Sequence, residues 1–258
     1  MQGSGQRECE IIYGMIYWIW LCALRGIGPH TQRQLLERFS GPKEIYLASE
    51  EELRQIGISE KRVRTIMEGR SLDPAEKVLN DCKRFDISMM NISQEIYPDR
   101  MRDIKDMPVL MYYKGEAYEP AKTSGIVGPR KCSRETKDKT IDIATRCIQS
   151  GETIVSGMAL GVDGYAHTAA IRNGGKTIAI VGSGLDICYP KAHDTLFEKI
   201  QQFGFVMSEY PPGTPALACH FPKRNQIIAA MSDELYVIDP GRNSGSLITA
   251  EYYDKTVG

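Results

Sequence analysis

From residue 87 onward the chain alternates short apolar runs with helical segments, and each run ends in small or polar residues. The strand candidates are 109–113, 125–127, 153–155, 177–181, 205–207 and 235–238, with helical patterns at 134–149, 164–172, 194–203 and 224–230. Repeated β-α units imply a parallel sheet, because parallel neighbours need a crossover long enough to hold a helix. The expected fold class is therefore α/β, a Rossmann-like parallel sheet covered by helices.

In such sheets ligands sit beyond the carboxyl ends of the strands. Those ends read Gly128-Pro129-Arg130, Ser156-Gly157, Gly182-Ser183-Gly184, Ser208-Glu209-Tyr210 and Asp239-Pro240-Gly241. Glycine lets backbone amides approach an anion, and each following helix turns its positive dipole end toward the same edge. Several such loops on one edge imply a phosphate-lined groove. The stretch Gly182-Ser183-Gly184-Leu185-Asp186-Ile187 lacks the third glycine of the dinucleotide fingerprint, and no complete Walker pattern occurs. No NAD, ATP or other cofactor is expected.

The N-terminal third reads differently. An aromatic stretch, Tyr17-Trp18-Ile19-Trp20-Leu21, leads into Leu24-Arg25-Gly26-Ile27-Gly28-Pro29, after which Leu35, Leu36 and Phe39 recur at helical spacing. This helix, glycine turn and helix resembles the helix-hairpin-helix module, in which amides at a helix N-terminus approach a phosphate. A turn that merely joins two helices accounts for the glycines equally well. Short helices at 50–56 and 60–67 follow, with Ser49 and Ser59 as N-caps. The expectation is an all-helical, SAM-like domain over residues 1–70 and a Rossmann-like domain over 71–258, the latter taking the helix that starts at Asp73-Pro74. The apolar run 11–24 is shorter than the ~20 residues a bilayer needs, and the preceding segment is not a basic signal region. It reads as a buried helix of a cytoplasmic protein without membrane insertion.

The whole-chain charge gives no hint of a nucleic-acid partner, since 32 Lys and Arg face 33 Asp and Glu for a net charge of −1. Basic surface must be local. The segment from Lys122 to Lys139 holds Lys122, Arg130, Lys131, Arg134, Lys137 and Lys139 against Glu135 and Asp138. The seven cysteines are scattered and form no Cys-x-x-Cys pair, which disfavours disulfides and a zinc site. No metal is expected.

A longer set of motifs carries a resemblance. They are Ser156-Gly157-Met158-Ala159-Leu160-Gly161-Val162-Asp163 with Ala166-His167, Gly182-Ser183-Gly184-Leu185-Asp186 with Tyr189-Pro190, and Ser208-Glu209-Tyr210-Pro211-Pro212-Gly213. Phe221-Pro222-Lys223-Arg224-Asn225-Gln226-Ile227-Ile228-Ala229 and Ser244-Gly245-Ser246-Leu247-Ile248-Thr249-Ala250 complete it. In these the chain resembles the DNA-processing protein A (Smf) family along nearly its whole length. The resemblance implies a cytoplasmic homodimer, not an enzyme, that binds single-stranded DNA without sequence preference. It also implies protection of incoming DNA and loading of a RecA-type recombinase in natural transformation. Family members continue past the last motif, so the Rossmann-like domain is expected to be C-terminally incomplete relative to them.

Sequence-tolerant strand binding needs cations for the backbone and an aromatic face for stacking. Arg130, directly behind Gly128, is the first phosphate ligand expected, and Lys191 another; Lys137 and Lys139 read as solvated helix charges. Phe221 is expected to stack on a base while Lys223, Arg224 and Asn225 reach the backbone, although core packing for Phe221 and an internal ion pair for Arg224 fit the same residues. Ser156, Gly157, Gly182, Ser183, Gly184, Gly245 and Ser246 complete the expected DNA-binding set. In the family an Asn commonly stands where His193 does, so that side chain is not carried over.

Three rival functions are readable. Ser156, Asp163 and His167 suggest a hydrolase triad, but Ser156 lies outside a Gly-x-Ser-x-Gly elbow, and Asp163 and His167 read as a helix start. The related nucleoside-monophosphate phosphoribohydrolases carry Pro-Gly-Gly-x-Gly-Thr-x-x-Glu, whereas the stretch from Pro240 to Thr249 puts Thr249 where their carboxylate stands. The third is a sensor that binds a small nucleotide in the same loops.

Overall fold

The computed structural model describes residues 14–241 and 245–256, which divide into two compact units. The first holds residues 14–84 and 105–110, the second 85–104 and the rest of the described chain from Met111.

The first unit contains α1 (residues 14–23), α2 (Pro29–Leu36), α3 (Pro42–Leu47), α4 (Glu50–Gln55), α5 (Glu60–Glu68) and α6 (Asp73–Arg84). Met15, Ile16, Trp18, Ile19, Trp20 and Leu21 are all buried, so α1 is apolar on every side, as a core helix must be. Residues 11–13 of the expected run lie outside the described residues. The hairpin turns at Gly26, whose φ of +84° is reserved for glycine, and Pro29 opens α2 where its missing N–H costs nothing. Gln32 closes the turn from inside, its Nε2 donating to the carbonyls of Ile27 (2.8 Å) and Leu21 (3.4 Å). Ser49 caps α4 in a reciprocal box with Glu52, while Ser59 stands at the N-cap of α5 without a side-chain cap bond. Helix α6 belongs to this unit, its stripe of Ala75, Leu79 and Cys82 buried, whereas the sequence pattern grouped it with the sheet.

The second unit contains β1 (Ser88–Asn91), α7 (Asp99–Arg102), all but the first residue of β2 (Leu110–Gly115), β3 (Thr123–Val127), α8 (Arg134–Gln149), β4 (Thr153–Ser156), α9 (Val162–Arg172) and β5 (Thr177–Ile180). A 3₁₀ turn (Lys191–His193), α10 (Asp194–Phe203), β6 (Gly204–Ser208), α11 (His220–Ala230), β7 (Glu234–Val237) and α12 (Gly245–Thr256) follow. The seven strands lie in the order β1-β2-β6-β5-β4-β3-β7. Pairs from β6 through β5, β4 and β3 to β7 are parallel, as the β-α alternation requires. The sheet is nevertheless mixed, because β2 runs antiparallel to β6, with Tyr112 opposite Ser208. Strand β2 precedes the first β-α unit, so no crossover helix dictates its direction.

Strands β3 to β6 are buried along their whole length, the signature of strands covered on both faces. Beneath α8 and α9 the core comprises Ile126, Ile143, Ala144, Ile154, Val162, Ala166, Ala169 and Ala170, small residues letting α9 lie close to the sheet. The chain steps from β3 to β6 in one direction and then returns β7 to the far side of β3. That reversal leaves a crevice beyond the carboxyl ends of β3 and its neighbours. Among the described residues no helix is long and apolar enough to cross a membrane.

Candidate nucleic-acid interface

Two adjoining clefts open at the carboxyl ends of the strands and share Arg130, Ala159, Phe221 and Arg224. Of the residues expected from sequence, Gly157, Gly182 and Ser183 line the first, and Gly128, Asn225, Gly245 and Ser246 the second.

Helix α11 starts at His220, four residues earlier than its apolar pattern indicates, which puts Phe221 in the first turn rather than in the loop before it. His220 anchors that turn. Its Nδ1 donates to the Gly182 carbonyl at 3.0 Å, and its ring stacks on Tyr210 at 3.9 Å between centroids. Phe221 then meets the Tyr189 ring at 5.9 Å, and the Arg130 guanidinium lies 5.4 Å from its centroid. Arg130 is exposed and Tyr189 is 45% exposed, so a cation and ring surface face solvent together.

Arg224 points the other way. It is only 5% exposed, and its Nη1 donates to the carbonyls of Gly157 and, at 2.9 Å, Ile180. Its Nε donates to Asn225 Oδ1 (2.9 Å), and Asn225 Nδ2 donates to the Gly245 carbonyl (3.1 Å). Burial lowers the Arg224 pKa and raises that of Asp163, while the attraction between the two opposes both shifts. Asp163 Oδ2 also accepts the Ala159 N–H at 3.2 Å.

The strand-end glycines serve a purpose other than the one expected for two of them. A Cβ on Gly157 would overlap the Arg224 guanidinium, and one on Gly128 would strike Val162 and the Ile238 carbonyl. The missing side chains admit the protein's own groups, as close packing demands, rather than leaving room for an anion.

Four expected residues do not line the clefts. Ser156 is buried and donates to the Ile126 carbonyl at 2.6 Å. Gly184 donates its N–H to Thr214 and packs on Pro211 and Pro212. Lys191 and Lys223 are exposed beside lining residues without being among them. The basic segment is also divided by the fold. Lys122 stands before β3, at the opposite end of the strand, and pairs with Glu152 at 2.6 Å. Lys139 pairs with Asp239 at 2.9 Å, Arg134 with Asp138 at 3.8 Å, and Lys137 covers the Tyr165 ring. Of the six basic side chains of that segment, Arg130 alone lines the clefts. Tyr189, Tyr210 and His220 were not singled out as site residues by sequence; each stands within or beside a motif of the family resemblance, which is the signal that could have found them.

No triad forms. His167 is fully buried, with Nδ1 2.7 Å from Thr177 Oγ1. Because Thr177 donates its hydroxyl to the Ile154 carbonyl, Nδ1 carries the proton and Nε2 is the unprotonated nitrogen, without a partner among the described residues. Burial first, then His193 and Arg224, push the His167 pKa down to about 3. The N-cap of α9 is Gly161, and Asp163 stands in its first turn.

A largely parallel α/β sheet, with a helical unit before it in the chain and a cleft of cation and rings beyond its strand ends, defines a Rossmann-like fold. The chain belongs to the DNA recombination-mediator protein A family, whose sequence profile matches residues 88–256. It is 33% identical over 243 residues to the Smf protein of Synechocystis and 42% identical over 163 residues to the DNA processing protein DprA of Streptococcus pneumoniae. These matches cover 92% and 62% of this chain but 61% and 57% of those proteins, so the chain spans about three-fifths of the length of such relatives. The solved structure of DNA processing protein A from Streptococcus pneumoniae superposes with a TM-score of 0.74 at 32% identity, over 93% of this chain and 82% of that one. Its Helicobacter pylori counterpart, solved to describe a single-stranded DNA binding mode, matches at 0.61 and 29%, over 67% and 78%.

Proposed function

We propose that this protein is a cytoplasmic, non-enzymatic DNA-binding protein that takes single-stranded DNA, without sequence preference, across the strand-end clefts. In this reading Arg130 holds a backbone phosphate, Phe221 and Tyr189 stack on bases, and Asn225 with the start of α12 receives the neighbouring phosphate. The protein acts as a homodimer, protects the strand and passes it to a RecA-type recombinase during natural transformation.

The observation that carries the reading is the Arg130 guanidinium packed on the Phe221 ring at 5.4 Å, with Tyr189 beside it. A cation for the backbone next to ring faces for any base is what sequence-tolerant strand binding requires. The Helicobacter pylori relative, described by its single-stranded DNA binding mode, supports the same substrate. Against hydrolysis stand the engaged Ser156 hydroxyl, the His167 ring turned to Thr177, and Thr249 in place of a carboxylate.

Fluorescence anisotropy with labelled dT oligonucleotides, duplex of equal length and nucleoside monophosphates tests this. Expected are affinity that rises with strand length, falls steeply with salt, and exceeds that for duplex. Equal binding of duplex, or a response to mononucleotides that does not grow with length, contradicts it, the latter in favour of a nucleotide sensor.

A further inference from the structure

We infer that Arg224 is a positioning residue of the cleft rather than a contact for the strand: its guanidinium ties the ends of β4 and β5 together and holds Phe221 and Asn225 in place. The inference rests on the strand-binding reading above.

One side chain links the ends of two strands and, through Asn225, the start of α12. Ile180 is the last residue of β5 and Gly157 follows the last residue of β4, and both carbonyls are met by Nη1. A buried strand-end carbonyl left unmet is costly. Through Nε the same guanidinium orients the Asn225 amide, whose Nδ2 then reaches Gly245 at the start of α12. Phe221 lies three residues earlier on α11, its ring centre 5.7 Å from the guanidinium carbon. The ring is therefore braced from within by Arg224 while Arg130 approaches it from the exposed loop.

A cation this deeply buried survives only with partners, and Asp163 supplies the opposing charge. Glycine at 157 is explained by the same arrangement, since any Cβ there would displace the guanidinium. Lysine cannot substitute, because its ammonium is a single point donor whereas the guanidinium is a planar fork that serves carbonyls and amide at once.

The test follows the affinity of the full chain for a dT oligonucleotide containing 2-aminopurine as a function of salt, with thermal unfolding measured alongside. R224K keeps the charge and loses the fork. G157A keeps every charge and occupies the space of the guanidinium. R130A is the reference for a phosphate contact, for which the slope of log affinity against log salt should shrink by about 0.7. Expected for R224K and G157A is a loss of about tenfold or more, the scale of one hydrogen bond from a charged group. Their salt slope stays that of the wild type, and 2-aminopurine is less quenched because the Phe221 ring is no longer held for stacking. Measurements are made well below each variant's melting temperature, so that loss of stability alone does not alter the quenching. Wild-type binding by R224K or by G157A overturns the inference, as does an R224Q variant whose salt slope shrinks as much as that of R130A. A wild-type chain that fails to bind the oligonucleotide sinks the strand-binding reading itself, a result distinct from unchanged variants of a binding protein.

Discussion

The Arg130 guanidinium sits 5.4 Å from the centre of the Phe221 ring, joining the loop after β3 to the first turn of α11. The two side chains carry separable parts of strand binding. F221A should weaken oligonucleotide binding by about 1–3 kcal/mol, the size of one base stacked on a ring, with an unchanged salt slope. R130A should weaken it and reduce the slope by about 0.7. Anisotropy titrations at several salt concentrations check both.

Stability should fall as the pH drops below 6.5. His167 has a pKa of about 3 when folded against an ordinary value near 6.5, so between those limits the unfolded chain binds more protons and is favoured. The stabilisation is fully present above pH 6.5 and is lost on acidification toward pH 3. From pH 7.5 to 5 this one residue should cost about 2 kcal/mol. Urea unfolding of the wild type and of H167Q across that range checks it, the variant showing the flatter profile between pH 6.5 and 5.

Asp233 holds two parts of the sheet domain together. It accepts from Arg100 at 2.7 and 3.0 Å and from the N–H and hydroxyl of Thr123, tying α7 to the beginning of β3. Burial raises its carboxyl, but these bonds outweigh burial and hold it below the usual range. D233A should destabilise by about 1–3 kcal/mol, because the Thr123 N–H loses its acceptor and Arg100 loses one of its two carboxylate partners, Glu119 remaining. Denaturant midpoints measure it, and DNA affinity should not change, since Asp233 lies away from the clefts.

In the helical unit, S49A removes the side-chain half of the Ser49–Glu52 box at α4. The expected loss is about 1 kcal/mol. S59A, at a cap without a side-chain bond, should cost less, and thermal melts of the two variants compare them.

The β-α order, the glycine hairpin and the Ser49 cap were legible in the sequence because each depends on neighbours a few residues apart. Strand β1 and helix α3 were not: β1 holds only Met89 and Met90 as apolar residues, and α3 opens behind Gly41 without a side-chain cap, so neither has the local signal that marks β4 or α4 at the same length. The strand at 109–113 was legible but its antiparallel direction as β2 was not, since nothing local encodes the direction of a strand that no crossover helix constrains.

At the site, local patterning is enough to show that small residues end successive strands, that Arg130 follows the first of them and that Phe221 adjoins a helix start. Which cations share an edge depends on the folded sheet. Lys122 and Arg130 bracket β3, whose five residues at ~3.3 Å each separate them to opposite ends of the sheet. The folded sheet likewise decides that Arg224 turns inward while Arg130, of the same charge, faces solvent. Charge and helix position are written in the chain, but the carbonyls that make burial of one guanidinium affordable come from two strands 44 and 67 residues away. Those partners exist only once the sheet has formed.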